Sequence, residues 1–203
     1  MSINIRIFSD YIWPFCYVGK GIVDELKKDF DIKDEWLGFE IHPETPSEGV
    51  LLSEKLPQID WIELYRNLRQ TGAQFGIVFG EVTLLSNSRM ALEASEFARD
   101  HGQYDRFHAG LFRSYFTEAQ DIGQIEVIMK LAGKLGLDTD DLKIALKEKC
   151  YAKRLEGVNQ EARQYGITAA PTFVINGKDS VVGAQPIEVF RETLKKIRSR
   201  GLW

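Results

Sequence analysis

The sequence predicts an α/β fold in which a βαβ unit opens the chain, an all-helical insert fills the middle and a ββα unit closes it. Three observations carry that reading. Ile3, Ile5 and Ile7 alternate as one face of a strand, a helical stretch starting at Pro14 follows, and a second apolar run occupies residues 32–41. Between residues 58 and 166 every periodic segment has helical spacing. Asn176-Gly177, set between Thr172-Phe173-Val174-Ile175 and Asp179-Ser180-Val181-Val182, is the strongest short signal for a tight hairpin.

Each element has a local reason. Pro14 suits the first turn of a helix, where its missing N–H costs nothing, and Val18, Ile22, Val23 and Leu26 continue it toward Lys27-Lys28. Strand, helix and strand in one short stretch make the first two strands parallel. Pro43, Pro46, Ser47 and Gly49 mark a loop, after which Trp61, Ile62, Leu64, Tyr65 and Leu68 form a helical stripe stopped by Gly76. Asn87 or Ser88 caps the next helix, whose Ala91, Ala94 and Ala98 permit close approach, and His101-Gly102 ends it. Asp121 and Asp138 offer further caps, and Gly136 and Gly166 further stops. Pro186 opens the last helix, which Lys195, Lys196, Arg198 and Arg200 close. Residues 1–49 and 166–203 are thus expected to form the α/β domain, with residues 50–165 a helical insertion domain.

Composition narrows the function. The 26 Lys+Arg against 30 Asp+Glu give a formal charge of −4, without the basic excess of a nucleic-acid binder. No apolar run approaches the ~20 residues of a membrane span, and Met1-Ser2-Ile3-Asn4 lacks a signal peptide's apolar block, so a cytoplasmic protein is expected. Cys16 and Cys150 cannot make a disulfide framework, and His42, His101 and His108 stand at no metal-ligand spacing. No phosphate-binding Gly-rich loop, His-Glu-x-x-His or nucleophile-elbow serine is present.

Asp10-Tyr11-Ile12-Trp13-Pro14-Phe15-Cys16-Tyr17-Val18-Gly19-Lys20 resembles the active-site segment of the DsbA family, closest to its FrnE-like branch, whose motif runs Asp-x-x-Cys-Pro-Trp-Cys-Tyr-x-Gly-Lys. Phe39-Glu40-Ile41-His42-Pro43, the Asn87-Ser88 region, Ala170-Pro171-Thr172-Phe173 and Gly183-Ala184-Gln185 resemble further segments of that branch in the same order. The resemblance implies a thioredoxin-like fold with an inserted helical domain, and a cis bond at Ala170-Pro171 lying beside Trp13. It also brings in relatives that act with glutathione, the 2-hydroxychromene-2-carboxylate isomerases and kappa-class glutathione transferases.

The departure from the family pattern matters most. Trp13 stands where the family has its attacking cysteine, and Cys16 at the resolving position, so no disulfide can close within the motif. Cys16 reads either as a buried structural thiol or as a reactive monothiol; a helix N-terminus favours its thiolate by only about 0.3–1 kcal/mol. Cys150 reads as ordinarily buried, or as a distant partner of Cys16.

On the resemblance, Trp13, Pro14, Asn87, Ala170, Pro171 and Gln185 are the candidate substrate- or glutathione-binding residues, and Cys16 the candidate catalytic one. Each also has a plain reading: Asn87 as a cap, Gln185 as a surface turn, Pro171 as a rigid turn, Trp13 as a plug. Asp10 is either an acidic neighbour of the motif or a solvated loop residue. Tyr104, Phe107, Phe112, Tyr115 and Phe116 read as core, His108 as a rim residue, and His42 has no assigned role. No metal and no tightly bound cofactor are expected, with glutathione a cosubstrate. The partners expected are a peptide, a small thiol or a hydrophobic small molecule, and a homodimer is compatible with the pattern. The leading reading is a thiol-disulfide or glutathione-linked oxidoreductase. The alternatives are a glutathione-dependent isomerase or transferase and a redox-inactive peptide-binding module.

Overall fold

The computed structural model describes residues 2–199. Residue 1 and residues 200–203 lie outside them, and with them the Arg200 expected at the end of the last helix. The chain opens with β1 (Ile3–Ser9), α1 (Pro14–Leu26) and β2 (Ile32–Gly38). A short strand β3 (Val50–Leu51) leads into α2 (Leu52–Lys55) and α3 (Trp61–Ala73), and β4 (Leu84–Leu85) precedes α4 (Arg89–Asp100) and α5 (Tyr104–Phe112). After a π-helical turn at Arg113–Thr117 come α6 (Ile125–Lys134), α7 (Thr139–Lys147) and α8 (Ala152–Gln164). The hairpin β5 (Thr172–Ile175) and β6 (Asp179–Val182) then leads to α9 (Ile187–Ser199).

The central sheet runs β2-β1-β5-β6. β1 and β2 are parallel with Ile3 opposite Ile32, and β1 and β5 antiparallel with Ile5 opposite Ile175. The expected βαβ and ββα halves therefore share one sheet, joined through β1 and β5. Asn176 and Gly177 both adopt positive φ, 49° and 69°, and the Lys178 N–H closes the turn on the Ile175 carbonyl at 3.1 Å. Those are the backbone angles for which an Asn-Gly pair is chosen.

Two expectations are corrected. The second strand ends at Gly38 rather than at residue 41, because beyond it the Ile41 N–H donates to the Asp10 carboxylate (2.9 Å). A side chain there takes the amide that a neighbouring strand would otherwise receive. The insert is also not all-helical: Val50 pairs with Leu85 and Leu51 with Leu84 in an antiparallel ribbon. Strands of two residues carry no periodicity for a sequence reading to detect.

The sheet is covered on both faces. Ile3, Ile5 and Ile7 pack with Val18, Ile22 and Leu26 of α1 and Phe190 and Leu194 of α9, whereas Phe8, Leu37 and Val174 meet Val158 and Ala162 of α8. The first group is continuous with Phe97, Phe107 and Phe112 of the insert, so insert and α/β unit share a core. α4 runs through the middle of the insert with Ala91, Ala94 and Ala98 fully buried. Its two buried acids are paired: Arg89 bridges Glu93 (2.8 Å) and Glu40 (2.6 Å), and Glu96 takes Arg99 and Arg154. Such pairing is what keeps a buried carboxylate from being a large penalty.

Candidate functional site

The site is built where β1 stops and α1 begins. Trp13 is extended (φ −102°, ψ 115°), as the residue before a proline tends to be, and Pro14 takes the first helical position. The Cys16 N–H returns to the Trp13 carbonyl at 2.9 Å. No side chain caps this end of α1 and no acid lies in its first turn. Pro14 has no N–H and the Cys16 N–H is taken, so what this end offers an anion is the helix dipole rather than a set of free amides.

Cys16 faces inward and is completely buried. Burial pushes its thiol up to about 12; the Ser9 hydroxyl and the Asp10 backbone pull the other way, and the Asp10 charge adds to the rise. The favourable dipole of α1 is too small to offset loss of hydration on this scale. At neutral pH Cys16 is a packed thiol.

Asp10 is the buried acidic neighbour rather than a solvated loop residue. Its carboxylate accepts from the Ile41 N–H and, at 3.4 Å, from the Ile12 N–H, yet burial still raises its pKa to about 6. One residue on, the Tyr11 hydroxyl lies 2.9 Å from His108 Nδ1 on α5, tying the motif loop to the insert. His108 corrects the rim expectation: it is 3% exposed and ringed by Tyr11, Trp36, Tyr104 and Phe112. Burial drives its pKa well below the usual imidazole range, and its Nε2 has no partner among the described residues. Of the aromatics expected in the core, Phe107, Phe112, Tyr115 and Phe116 are buried, and Tyr104 is partly buried against them.

Trp13 and Phe15 lean together, ring centroids 5.9 Å apart, with Phe15 half in solvent. Behind them a narrow apolar crevice separates the motif from Leu56, Ile59 and Trp61 of the insert. Its inner space is about 30 Å³, room for little more than a water. The insert wall is the part that sequence reasoning missed. The available signal is the Trp61, Leu64, Tyr65 helical stripe, whose residues also line the crevice.

The Ala170–Pro171 peptide is cis. The Pro171 ring lies against α1 one turn beyond Cys16: a Cβ built on Gly19 would stand 3.4 Å from Pro171 Cγ. Neither Ala170 nor Pro171 lines the crevice beside Trp13. The Pro171 carbonyl accepts from the Gly183 N–H at 2.7 Å. Two candidates stand apart from this group. Asn87 donates to the Thr45 carbonyl (2.6 Å) and accepts from the Arg89 N–H (3.0 Å), so both ends of its amide hold the start of α4. Gln185 is exposed and donates to the Val182 carbonyl as part of a surface turn. Cys150 is exposed just beyond α7, against the expectation of burial; it follows Lys149, which has a positive φ of 54°. Among the described residues no cluster of potential metal ligands occurs, and no helix is long and apolar enough to cross a membrane.

Residues 4–195 match the model of the DSBA-like thioredoxin domain. The chain belongs to that family. A curated relative, the uncharacterized protein YwbO of Bacillus subtilis, is 29% identical over 197 residues, 96% of each chain. Among solved structures, a probable DsbA oxidoreductase from Streptomyces coelicolor superposes with a TM-score of 0.88 at 24% identity, covering 97% of this chain and 90% of the other. A 2-hydroxychromene-2-carboxylate isomerase gives 0.82 at 15% identity over 98% of both chains. The cytosolic disulfide reductase DsbM of Pseudomonas aeruginosa, solved with GSH, gives 0.64 at 15% over 95% and 99%. At these identities the structural likenesses establish the shared fold. The similar structures are named for different chemistries, an oxidoreductase, a disulfide reductase and an isomerase, so the names alone do not choose among them.

Proposed function

We propose that this DsbA-family chain is a glutathione-linked isomerase or transferase acting on a hydrophobic small molecule, and not a dithiol oxidoreductase. The observation that carries the proposal is the complete burial of Cys16 in a motif whose attacking position is held by the partly buried Trp13. Dithiol exchange needs an accessible, ionised sulfur at that position and a second sulfur within bridging range. Here a partly buried indole holds that position and the thiol below it is buried and protonated.

A glutathione-linked reaction needs no protein thiol, because glutathione brings its own. The uncapped start of α1 is suited to a thiolate. With the Pro171 carbonyl already bonded to Gly183, strand-like pairing with the glutathione backbone falls to Ala170. Trp13 and Phe15 offer flat apolar faces to a second, hydrophobic reactant. In such a reaction the thiolate forms an S–C bond to an activated double bond, and the thiol's proton ends on the neighbouring carbon. Elimination after bond rotation returns both and leaves an isomer; release without elimination leaves a conjugate. Trp13 supplies no hydroxyl to hold the sulfur, so the helix end does that work alone.

Titration calorimetry with reduced glutathione, run beside an insulin-reduction assay, tests this reading. Saturable glutathione binding with no insulin reduction is expected. Insulin reduction at the rate of a two-cysteine relative would overturn it, and peptide binding without glutathione binding would move the assignment to a redox-inactive binding module.

A further inference from the structure

Outside the motif, an open groove of about 340 Å³ lies between α3 and the β3–β4 ribbon, within the size range of small-molecule sites. Its floor and walls are Leu52, Trp61, Tyr65 and Val82, and Ile62 at its mouth is 78% exposed. Of the lining residues only Arg69 and Glu81 are charged. Arg69 is held in place by its Nε–H donating to the Phe79 carbonyl at 3.1 Å, with its guanidinium carbon 6.0 Å from the Tyr65 ring centre. Among the described residues the guanidinium's ion-pair partner is Glu81, at 3.5 Å, and the Glu81 side chain is 86% exposed. An exposed pair at that distance contributes little, so an incoming anion displaces Glu81 at small cost.

We infer that this groove is a binding site for an amphipathic monocarboxylate, its alkyl body laid along Leu52, Trp61 and Val82 and its carboxylate on Arg69. A fixed guanidinium at one end of an apolar trough is the arrangement that selects an acid over the neutral molecule of the same shape. The groove is a separate site from the crevice at the motif, although the two share Leu52, Trp61 and Tyr65 as a wall. The inference does not rest on glutathione chemistry.

Calorimetric titration with octanoate, decanoate and dodecanoate below their micellar concentrations tests it, with 1-decanol as the neutral control. Affinity should rise about two- to fourfold per added methylene, the upper figure being full burial. Decanoate should bind at least about tenfold tighter than 1-decanol. Arg69→Gln should abolish that preference and Arg69→Lys restore part of it. Because Ile62 is exposed, Ile62→Asp should fold normally and weaken decanoate by about tenfold or more through repulsion at the mouth. Equal binding of acid and alcohol, insensitivity to Ile62→Asp, or no saturable binding in the unmodified protein would each overturn the assignment.

Discussion

If Cys16 is a protonated, shielded thiol, its reactivity should be set by the roughly 12 that burial gives it. At pH 7.4 a thiol of that pKa is ionised to only about 3 parts in 100,000, against about 7 in 100 for an unperturbed cysteine near 8.5. The thiolate is the reacting species, so alkylation of Cys16 should be slower than that of an open cysteine by at least about a thousandfold, before restricted access is counted. Cys150 is exposed and serves as the internal standard. Native protein would be treated with iodoacetamide and quenched over time, and each cysteine followed by peptide mass. Cys150 should be modified in the first minutes and Cys16 should persist, its rate climbing about tenfold per pH unit through at least pH 10. In denaturing urea the two should react alike. Native Cys16 rates within about tenfold of Cys150 would refute the reasoning, because neither burial nor the raised pKa would then govern the thiol.

The other predictions concern the surroundings of the motif. The Asp10 pKa is raised from 3.8 to about 6, so the stability linked to its protonated form is fully present below pH 4 and is lost as pH rises through 6. A rise of that size is worth about 3 kcal/mol, so Asp10→Asn should flatten the pH dependence of urea stability between pH 4 and 6.5; an unchanged slope would contradict it. A methyl added at Gly21 would fall 2.6 Å from Phe75 Cβ, so Gly21→Ala should cost about 1–3 kcal/mol. Gly157→Ala in α8, which meets nothing within 4 Å, should gain about 0.5–1 kcal/mol by the same denaturation measurement. Trp13→Cys should leave the far-UV circular dichroism intact and allow a 13–16 disulfide, detected as protection of both sulfurs from alkylation under oxidising conditions. Failure of the folded variant to form it would show divergence beyond one residue.

Much of this was legible in the sequence where the cause is local. Pro14 at the start of α1, Asn176-Gly177 in the hairpin and Gly102, Gly136 and Gly166 beyond helix ends each solve a backbone problem within a few residues. The parallel pairing of β1 and β2 followed from the helix between them. What escaped depends on contacts across the fold. The end of β2 is set by the Asp10 carboxylate, and the burial of His108 by Tyr11 and Trp36, both distant in sequence. Within the candidate site, Trp13, Pro14 and Cys16 were visible as a motif, whereas the opposing wall was not. Trp61 and Tyr65 have the spacing of any amphipathic helix, and only the packing of α3 beside α1 gives them a second role. Asn87 carried a capping signal and a resemblance at once, and its two hydrogen bonds follow the capping signal.

The central claim is that the motif end of α1 holds glutathione while the protein's own thiol takes no part. It is tested most directly by ¹⁵N NMR titration of reduced glutathione into the protein and into Cys16→Ala. The account predicts saturable shifts at the Trp13 indole, Phe15 and Ala170, with the same dissociation constant in both proteins and no glutathione adduct by mass. A mixed disulfide at Cys16, or the absence of saturable shifts at those three residues, would contradict it.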